Sequence, residues 1–259
     1  TSTTVGKGKF YARFSHVSQH QLFTSEGKHA FHDFMGLDDG VKIGMMFGYG
    51  ITKNWDVTLQ RTNGRVYYDA DWEEHSFDLW DFMTKVKLLD EQEQFVDLSL
   101  TGGATFFWEE DNRGEWAGNA AVLLEKSMWR FRIGTGLLYT SLSTWEPTAS
   151  TQVGGVSAKL YPKERGAPRP ENHTTAIPLS VSMALTKSLQ GFGELAFPVD
   201  GYETGNGPSA AAGLRYVSPS HAYSLFFCNT SNSGFNSTFT GGYKHDRLDV
   251  FGFDISIFF

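Results

Sequence analysis

The sequence has few of the residues on which several protein classes depend. It contains one cysteine and eight prolines in 259 residues. A single cysteine forms neither an intramolecular disulfide nor a cysteine-based metal cluster, so a disulfide-stapled scaffold, a zinc ribbon and a c-type haem protein are excluded. Basic residues are scarce too: 22 Lys and Arg stand against 29 Asp and Glu, a net charge of −7. Because phosphate binding needs a basic face, nucleic acid is excluded as the main partner.

Long apolar runs are also absent. No stretch of about 18 apolar residues occurs, so no transmembrane helix is predicted. A transmembrane β-barrel remains compatible with the sequence, because only every second residue of its strands faces lipid. The first residues, TSTTVGKGKF, lack the basic-then-apolar layout of a signal peptide, and we expect them to be a mature N-terminus left by cleavage.

What the sequence does contain is apolar residues at every second position. At the C-terminus one parity holds Phe251, Phe253, Ile255, Ile257 and Phe259, while the other holds Gly252, Asp254 and Ser256. A period of two places these two sets on opposite faces of a strand. The pattern recurs and predicts about twelve strands, within a range of ten to fourteen, in an all-β, antiparallel, up-and-down transmembrane barrel that forms a single domain over 1–259. The predicted strands are 9–18, 41–51, 55–63, 78–89, 95–108, 116–126, 129–143, 175–187, 190–199, 209–217, 222–230 and 247–259.

The links between these strands alternate in length. Short links at 52–54, 90–94, 127–128, 188–189 and 218–221 separate longer ones at 19–40, 64–77, 109–115, 144–174, 200–208 and 231–246. Bacterial outer-membrane barrels have short periplasmic turns and longer outer loops, so we expect both termini to be periplasmic.

Several motifs in the first part of the chain resemble a known family. They are ARFSH at 12–16, FHDFMGLDDG at 31–40, GYGITKNWDV at 48–57, FDLW at 77–80 and KVKLL at 85–89. They resemble outer-membrane β-barrel proteins of unknown function that are found largely in Bacteroidota. The resemblance covers mainly residues 10–90, and it implies a fold and an outer-membrane location but no activity.

The parity opposite to the apolar one carries charges of both signs. The candidate lumen-lining residues are Arg13, Lys42, Asp56, Asp81, Lys85, Lys87, Asp97, Glu125, Arg130, Arg132, Glu194, Arg215 and Asp254. Two interpretations remain open: ion pairs that fill the interior, or a water-filled path whose lining selects solutes. Tight hairpins would place Glu125 opposite Arg130 and Lys87 opposite Asp97. Segment 26–36 has the apolar spacing of a short amphipathic helix, which we expect to have a packing role.

The histidines and hydroxyls give weaker signals. His16, His20, His29 and His32 lie within a short stretch but match no metal-binding motif, so we expect surface histidines and no metal or other cofactor. His16 with Ser15 or Ser18, and His173 with Thr174 or Thr175, are local combinations of a base and a hydroxyl without a recognisable catalytic frame. We therefore expect no enzyme activity.

The sequence thus predicts an outer-membrane barrel that acts as a small pore for hydrophilic solutes. The alternative is a closed structural barrel that is a subunit or assembly partner of an outer-membrane complex. Expected partners are outer-membrane lipid and lipopolysaccharide, which the basic loop 145–173 could contact, and other outer-membrane or periplasmic proteins.

Overall fold

The chain forms a closed antiparallel β-barrel of twelve strands in a computed structural model, which confirms the predicted fold class. The structure describes residues 4–18, 41–67, 74–109, 112–141, 152–153, 156–157, 173–201, 208–229, 248 and 250–259. The barrel strands are β1 (Phe10–Ser18), β2 (Val41–Thr52), β3 (Trp55–Tyr67), β4 (Glu74–Leu89), β5 (Asp97–Glu109), β6 (Asn112–Met128), β7 (Phe131–Thr140), β10 (Thr174–Ala184), β11 (Leu189–Gly201), β12 (Ser209–Val217), β13 (His221–Cys228) and β14 (Val250–Phe258). Each pairs with its neighbours along the chain, and β1 pairs with β14.

Two short strands stand apart from the barrel. β8 (Gln152–Val153) and β9 (Val156–Ser157) form a two-stranded sheet inside the predicted loop 144–174. The helix predicted over 26–36 lies outside the described residues. Over the described part of the chain, no helix is long and apolar enough to cross a membrane.

The barrel is apolar outside and polar inside. Phe47 pairs with Leu59 and Leu59 with Phe82, and the two phenylalanines on this outward face are 53 % and 46 % exposed. Asp56 and Asp81 lie on the opposite face of the same strands and are 1 % and 3 % exposed. Such an inverted distribution of apolar and charged side chains is expected when the surrounding solvent is hydrocarbon.

The five short links lie at one end of the barrel, at 53–54, 90–96, 129–130, 185–188 and 218–220. We call this the turn end, and the opposite end the loop end. Two loops are shorter than predicted. The loop predicted at 64–77 is shortened because β3 continues to Tyr67 and β4 begins at Glu74. The loop predicted at 109–115 is shortened because the pairing of β5 with β6 continues to Glu109 and Asn112. The predicted link 109–115 is thus wrong: backbone pairing continues past the apolar part of these strands.

Exposed aromatic side chains mark both ends of the apolar surface. At the turn end Phe95 and Trp129 are 80 % and 88 % exposed, and the Lys126 ammonium lies 4.4 Å from the Phe95 ring. Toward the loop end Trp116 packs against Phe106, with ring centroids 4.9 Å apart. Aromatic rings at these two levels are typical of the girdles at membrane interfaces.

The residues before β1 turn into the barrel at the turn end. The Gly8 amide donates to the Gly50 carbonyl at 2.7 Å, and the Val5 amide donates to Asp56 Oδ2 at 3.0 Å. Gly6 has φ 92°, a left-handed conformation that favours glycine. A Cβ on Gly50 would overlap the Gly6 carbonyl, so this close approach also needs glycine at position 50.

Candidate functional site

The inward face of the barrel carries the charged side chains. Directly paired residues of antiparallel strands share a face, and one line of such pairs runs Asp97–Glu125–Gly134–Ser180–Glu194 across five strands. The predicted candidates on the inward face are Arg13, Lys42, Asp56, Asp81, Lys85, Lys87, Asp97, Glu125, Arg132, Glu194, Arg215 and Asp254. Arg130 differs, because it lies in the turn between β6 and β7 and is exposed.

Four of these side chains form a network near the turn end. Arg132 Nη2 lies 2.6 Å from Glu125 Oε2 and 2.9 Å from Asp97 Oδ2. Lys87 Nζ lies 2.8 Å from Asp97 Oδ1 and 3.1 Å from Asp90 Oδ2. Asp97 and Glu125 are directly paired and almost fully buried, so each of these neighbouring carboxylates has a cation within 3 Å inside the wall.

The predicted partner of Glu125 is corrected by this network. The turn comprises Trp129 and Arg130, not Ser127 and Met128, so Glu125 is paired with Gly134 and its cation is Arg132. The predicted contact of Lys87 with Asp97 is present as an ion pair. Its register differs, because Lys87 is directly opposite Ser99 and a register shift follows it in β4.

Neutral polar side chains connect the other charges of strands β3 to β6. Asp81 accepts a hydrogen bond from the Thr105 hydroxyl, which in turn accepts one from Asn119 Nδ2 at 2.7 Å. Lys85 Nζ lies 3.8 Å from Asp56 Oδ2. Thr105 and Asn119 were not among the predicted lumen residues, which were chosen by charge. Both lie at the alternate positions that face inward, and this position in the strand was the only sign of them in the sequence.

The strands β11 to β14 and β1 carry a second charged group. Arg13 Nη2 donates to Gln60 Oε1 at 3.2 Å, and Arg215 Nε donates to Ser224 Oγ at 3.0 Å. The Arg215 guanidinium also lies 5.0 Å from the centre of the Phe192 ring. Asp254 is directly paired with Ser15 and Ser224, between the strands of the two arginines. Lys42 is buried beside Val17.

The sector formed by β7, β10, β11 and β12 is less filled. Its inward side chains are small at Gly134, Ser180, Ala196 and Ala211, and they line a cavity of about 190 Å³ together with Glu125 and Glu194. Glu194 is exposed although it faces inward. The charged network fills the lumen beside β4 to β7, whereas the small residues of β10 to β12 leave space. The free volume of the lumen therefore lies off-centre, toward β10 to β12.

The structure describes two of the histidines in the predicted hydroxyl and histidine combinations, His16 and His173. Ser15 faces inward beside Asp254, whereas His16 faces outward and stacks on Phe253 at 4.7 Å. His173 Nε2 lies 3.1 Å from Asp200 Oδ2. Of the four clustered histidines, His20, His29 and His32 lie outside the described residues, as do most residues of the basic loop 145–173. Within the described ranges no group of three or more His, Cys, Asp or Glu could hold a metal ion.

A closed antiparallel barrel with an apolar exterior and a charged interior defines a membrane β-barrel protein. The profile of the DUF5777 family, described as a membrane-bound β-barrel domain, matches residues 1–259, and the chain belongs to this family. The match therefore extends beyond residues 10–90, where the motif resemblance is concentrated. No curated protein matches the chain.

Solved structures of similar shape are outer-membrane proteins. Escherichia coli outer membrane phospholipase A is 10 % identical, with 96 % of this chain and 92 % of that chain covered and a TM-score of 0.43. The NanC porin is 10 % identical, with 96 % and 98 % covered and a TM-score of 0.45. Salmonella typhi OmpF, in a complex with daunomycin, is 9 % identical, with 98 % of both chains covered and a TM-score of 0.44. At these identities the similarity concerns the barrel fold alone.

Proposed function

We propose that this barrel is an outer-membrane pore through which small hydrophilic solutes pass, with the inward charges as its selective lining. The observation that carries the proposal is Glu194, an inward carboxylate that is exposed and that lines a cavity beside small residues. A charged side chain inside a barrel is exposed only where water can reach it. A barrel of twelve strands lies between eight-stranded barrels filled by side chains and the sixteen-stranded porins that enclose a channel.

The charges in the rest of the lumen support a narrow, off-centre path. Asp97 and Glu125 are almost fully buried, and Arg132 and Lys87 hold them against the wall. Such fixed pairs narrow the lumen without adding net charge along it. Solutes would pass along β10 to β12, where Ser180, Ala196 and Ala211 occupy little space.

The orientation and surroundings follow from the same proposal. The turn end, with both ends of the chain, faces the periplasm, and the loop end faces outward. Outer-membrane lipid covers the exposed apolar belt, and lipopolysaccharide contacts the loop end. The proposed pore needs no catalytic step, and His16 and Ser15 lie on opposite faces of the wall.

The test is ion selectivity in a planar bilayer. Glu194 has no cation to lose among the described residues, so Glu194→Arg reverses a lumen charge without breaking an ion pair. We expect stable single channels whose reversal potential in a salt gradient shifts toward anions in Glu194→Arg. Glu93→Arg, which makes the same change in the turn 90–96, is the matched control and should leave the selectivity unchanged.

A folded protein that inserts but stays electrically silent would contradict the pore. It would favour the alternative of a closed structural barrel in an outer-membrane complex, for which the buried network around Arg132 is the supporting feature. Conductance with equal selectivity in the wild type and Glu194→Arg would show that Glu194 is not part of the lining.

A further inference from the structure

The cavity in the open sector of the lumen has the size of a small organic molecule. It measures about 190 Å³, whereas a cavity of about 150 Å³ in another protein holds benzene. Leu123, Leu138 and Pro178 form part of its wall. These side chains offer contact to a hydrocarbon group, which a hydrated inorganic ion would not use.

The ionisable side chains that line this cavity are both acidic. Glu125 is engaged by Arg132, whose Nε and Nη2 atoms lie 2.9 Å and 2.6 Å from Glu125 Oε2. Glu194, on the other side, forms no hydrogen bond or ion pair with any residue that the structure describes. Arg215 is directed to Ser224 and Phe192. The cavity therefore presents one carboxylate that is available to a cation.

A buried hydroxyl provides a second and independent indication of a ligand. Ser209 lines the cavity and is directly paired with Ala196. Ser209 is 5 % exposed, and its Oγ has no hydrogen-bond partner among the residues that the structure describes. Buried polar atoms in folded proteins are almost always hydrogen-bonded, and leaving one unpaired is costly. A ligand with an N–H donor in this cavity would satisfy Ser209 Oγ as well as the Glu194 carboxylate.

We propose that this cavity binds small organic ammonium ions with a compact apolar group, of about seven to ten non-hydrogen atoms. The ammonium group donates hydrogen bonds to the Glu194 carboxylate and to Ser209 Oγ, while the apolar group packs against Leu123, Leu138 and Pro178. The proposal rests on the proposed function, because the ligand must reach the cavity through a water-filled lumen. It adds a solute class to that function: primary amines of low molecular mass.

A fluorine NMR titration of the purified full-length barrel in detergent micelles tests binding without requiring conductance. The probe is para-fluorobenzylammonium, and para-fluorobenzyl alcohol is the neutral control for partition into micelles. We expect saturable binding of the amine but not of the alcohol. Glu194→Gln should weaken amine binding about tenfold, and Ser209→Ala about threefold, the effect of one hydrogen bond.

Glu93→Gln removes the same charge from the turn 90–96 and should bind the amine as the wild type does. Circular dichroism verifies that each variant is folded. Equal amine binding by Glu194→Gln and wild type would overturn the proposal, as would equal binding of the amine and the alcohol. If the barrel conducts ions but does not bind the amine, the proposed pore stands and the proposed amine site is refuted. A silent barrel that binds the amine refutes only the pore.

Discussion

Replacing Arg132 by methionine should destabilise the barrel markedly. Arg132 is the cation shared by Glu125 and Asp97, whose carboxylates are directly paired on neighbouring strands. Without it Lys87 still neutralises Asp97, but Glu125, which is buried beside that carboxylate, loses the cation that lies 2.6 Å from its Oε2. Like charges directly opposite each other also weaken strand pairing.

The magnitude follows from the burial of the partners. Removing one partner of a buried ion pair costs about 3–5 kcal/mol. Because the Arg132 side chain is 35 % exposed, lumen water reduces the expected loss to about 2–3 kcal/mol. Adding Glu125→Gln should recover at least about 1 kcal/mol of that loss, because the buried carboxylate that lost its nearest cation is then neutral.

The assay is urea unfolding of the barrel in lipid vesicles, followed by tryptophan fluorescence. Arg130→Met is the matched control, because Arg130 lies in the turn and its guanidinium lies over the ring of Trp129, 5.2 Å from the ring centre. Its loss should cost less than about 1 kcal/mol. Equal effects of the two substitutions, or no recovery in the double variant, would refute the assignment of Arg132 as the shared cation.

Two further predictions concern the wall and the turn end. Gly103→Ala should destabilise the barrel by about 1–3 kcal/mol, because the added Cβ would overlap Phe82 and Met83. Gly102→Ala should be nearly neutral, since a Cβ there meets only one atom, at 3.9 Å. Urea unfolding measures both losses of stability, and equal losses would contradict the faces assigned to these two glycines. Burial acts to raise the pKa of Glu91 in the turn 90–96, but hydrogen bonds from Lys126 and the Ser127 amide outweigh it and hold that pKa below its ordinary value. The contact therefore contributes stability above the ordinary pKa of a glutamate and loses it as pH falls through the lowered value. The protection factor of the Ser127 amide against hydrogen exchange, which compares its rate with that of an unprotected amide at the same pH, should fall at low pH, and in Glu91→Gln already at neutral pH; an unchanged protection factor in that variant would argue against the contact.

Alternation of side-chain type was sufficient to predict the barrel and which face of each strand carries the charges. In an alternating segment such as Phe251 to Phe259, an apolar exterior leaves only one possible assignment of the two faces. The structure has the same twelve barrel strands. The ends of the strands could not be predicted in the same way. Backbone pairing at Glu109 and Asn112 continues where no apolar alternation marks it.

The partners of the charges depended on local geometry that composition does not reveal. The turn between β6 and β7 places Trp129 at φ 58°, a conformation that a tryptophan rarely adopts. The turn lies two residues later than predicted, so the residue paired with Glu125 is Gly134, four residues beyond Arg130. Arg130 therefore leaves the lumen and Arg132 takes its predicted role. Glu194 has no cation beside it in the described part of the chain, because the residues directly paired with it, Ser180 and Ala211, carry no positive charge.

The most direct test of a water-filled path is covalent block at its lining. In a Cys228→Ser background, Glu194→Cys and Leu195→Cys place a thiol on opposite faces of one strand, since Leu195 pairs with Leu179 and Ala210 on the outward side. A charged, membrane-impermeant thiosulfonate applied to single channels should react at position 194 and reduce their conductance, and leave position 195 unaffected. Modification of position 194 without any change in conductance, or reaction at position 195 alone, would contradict a pore lined by this face.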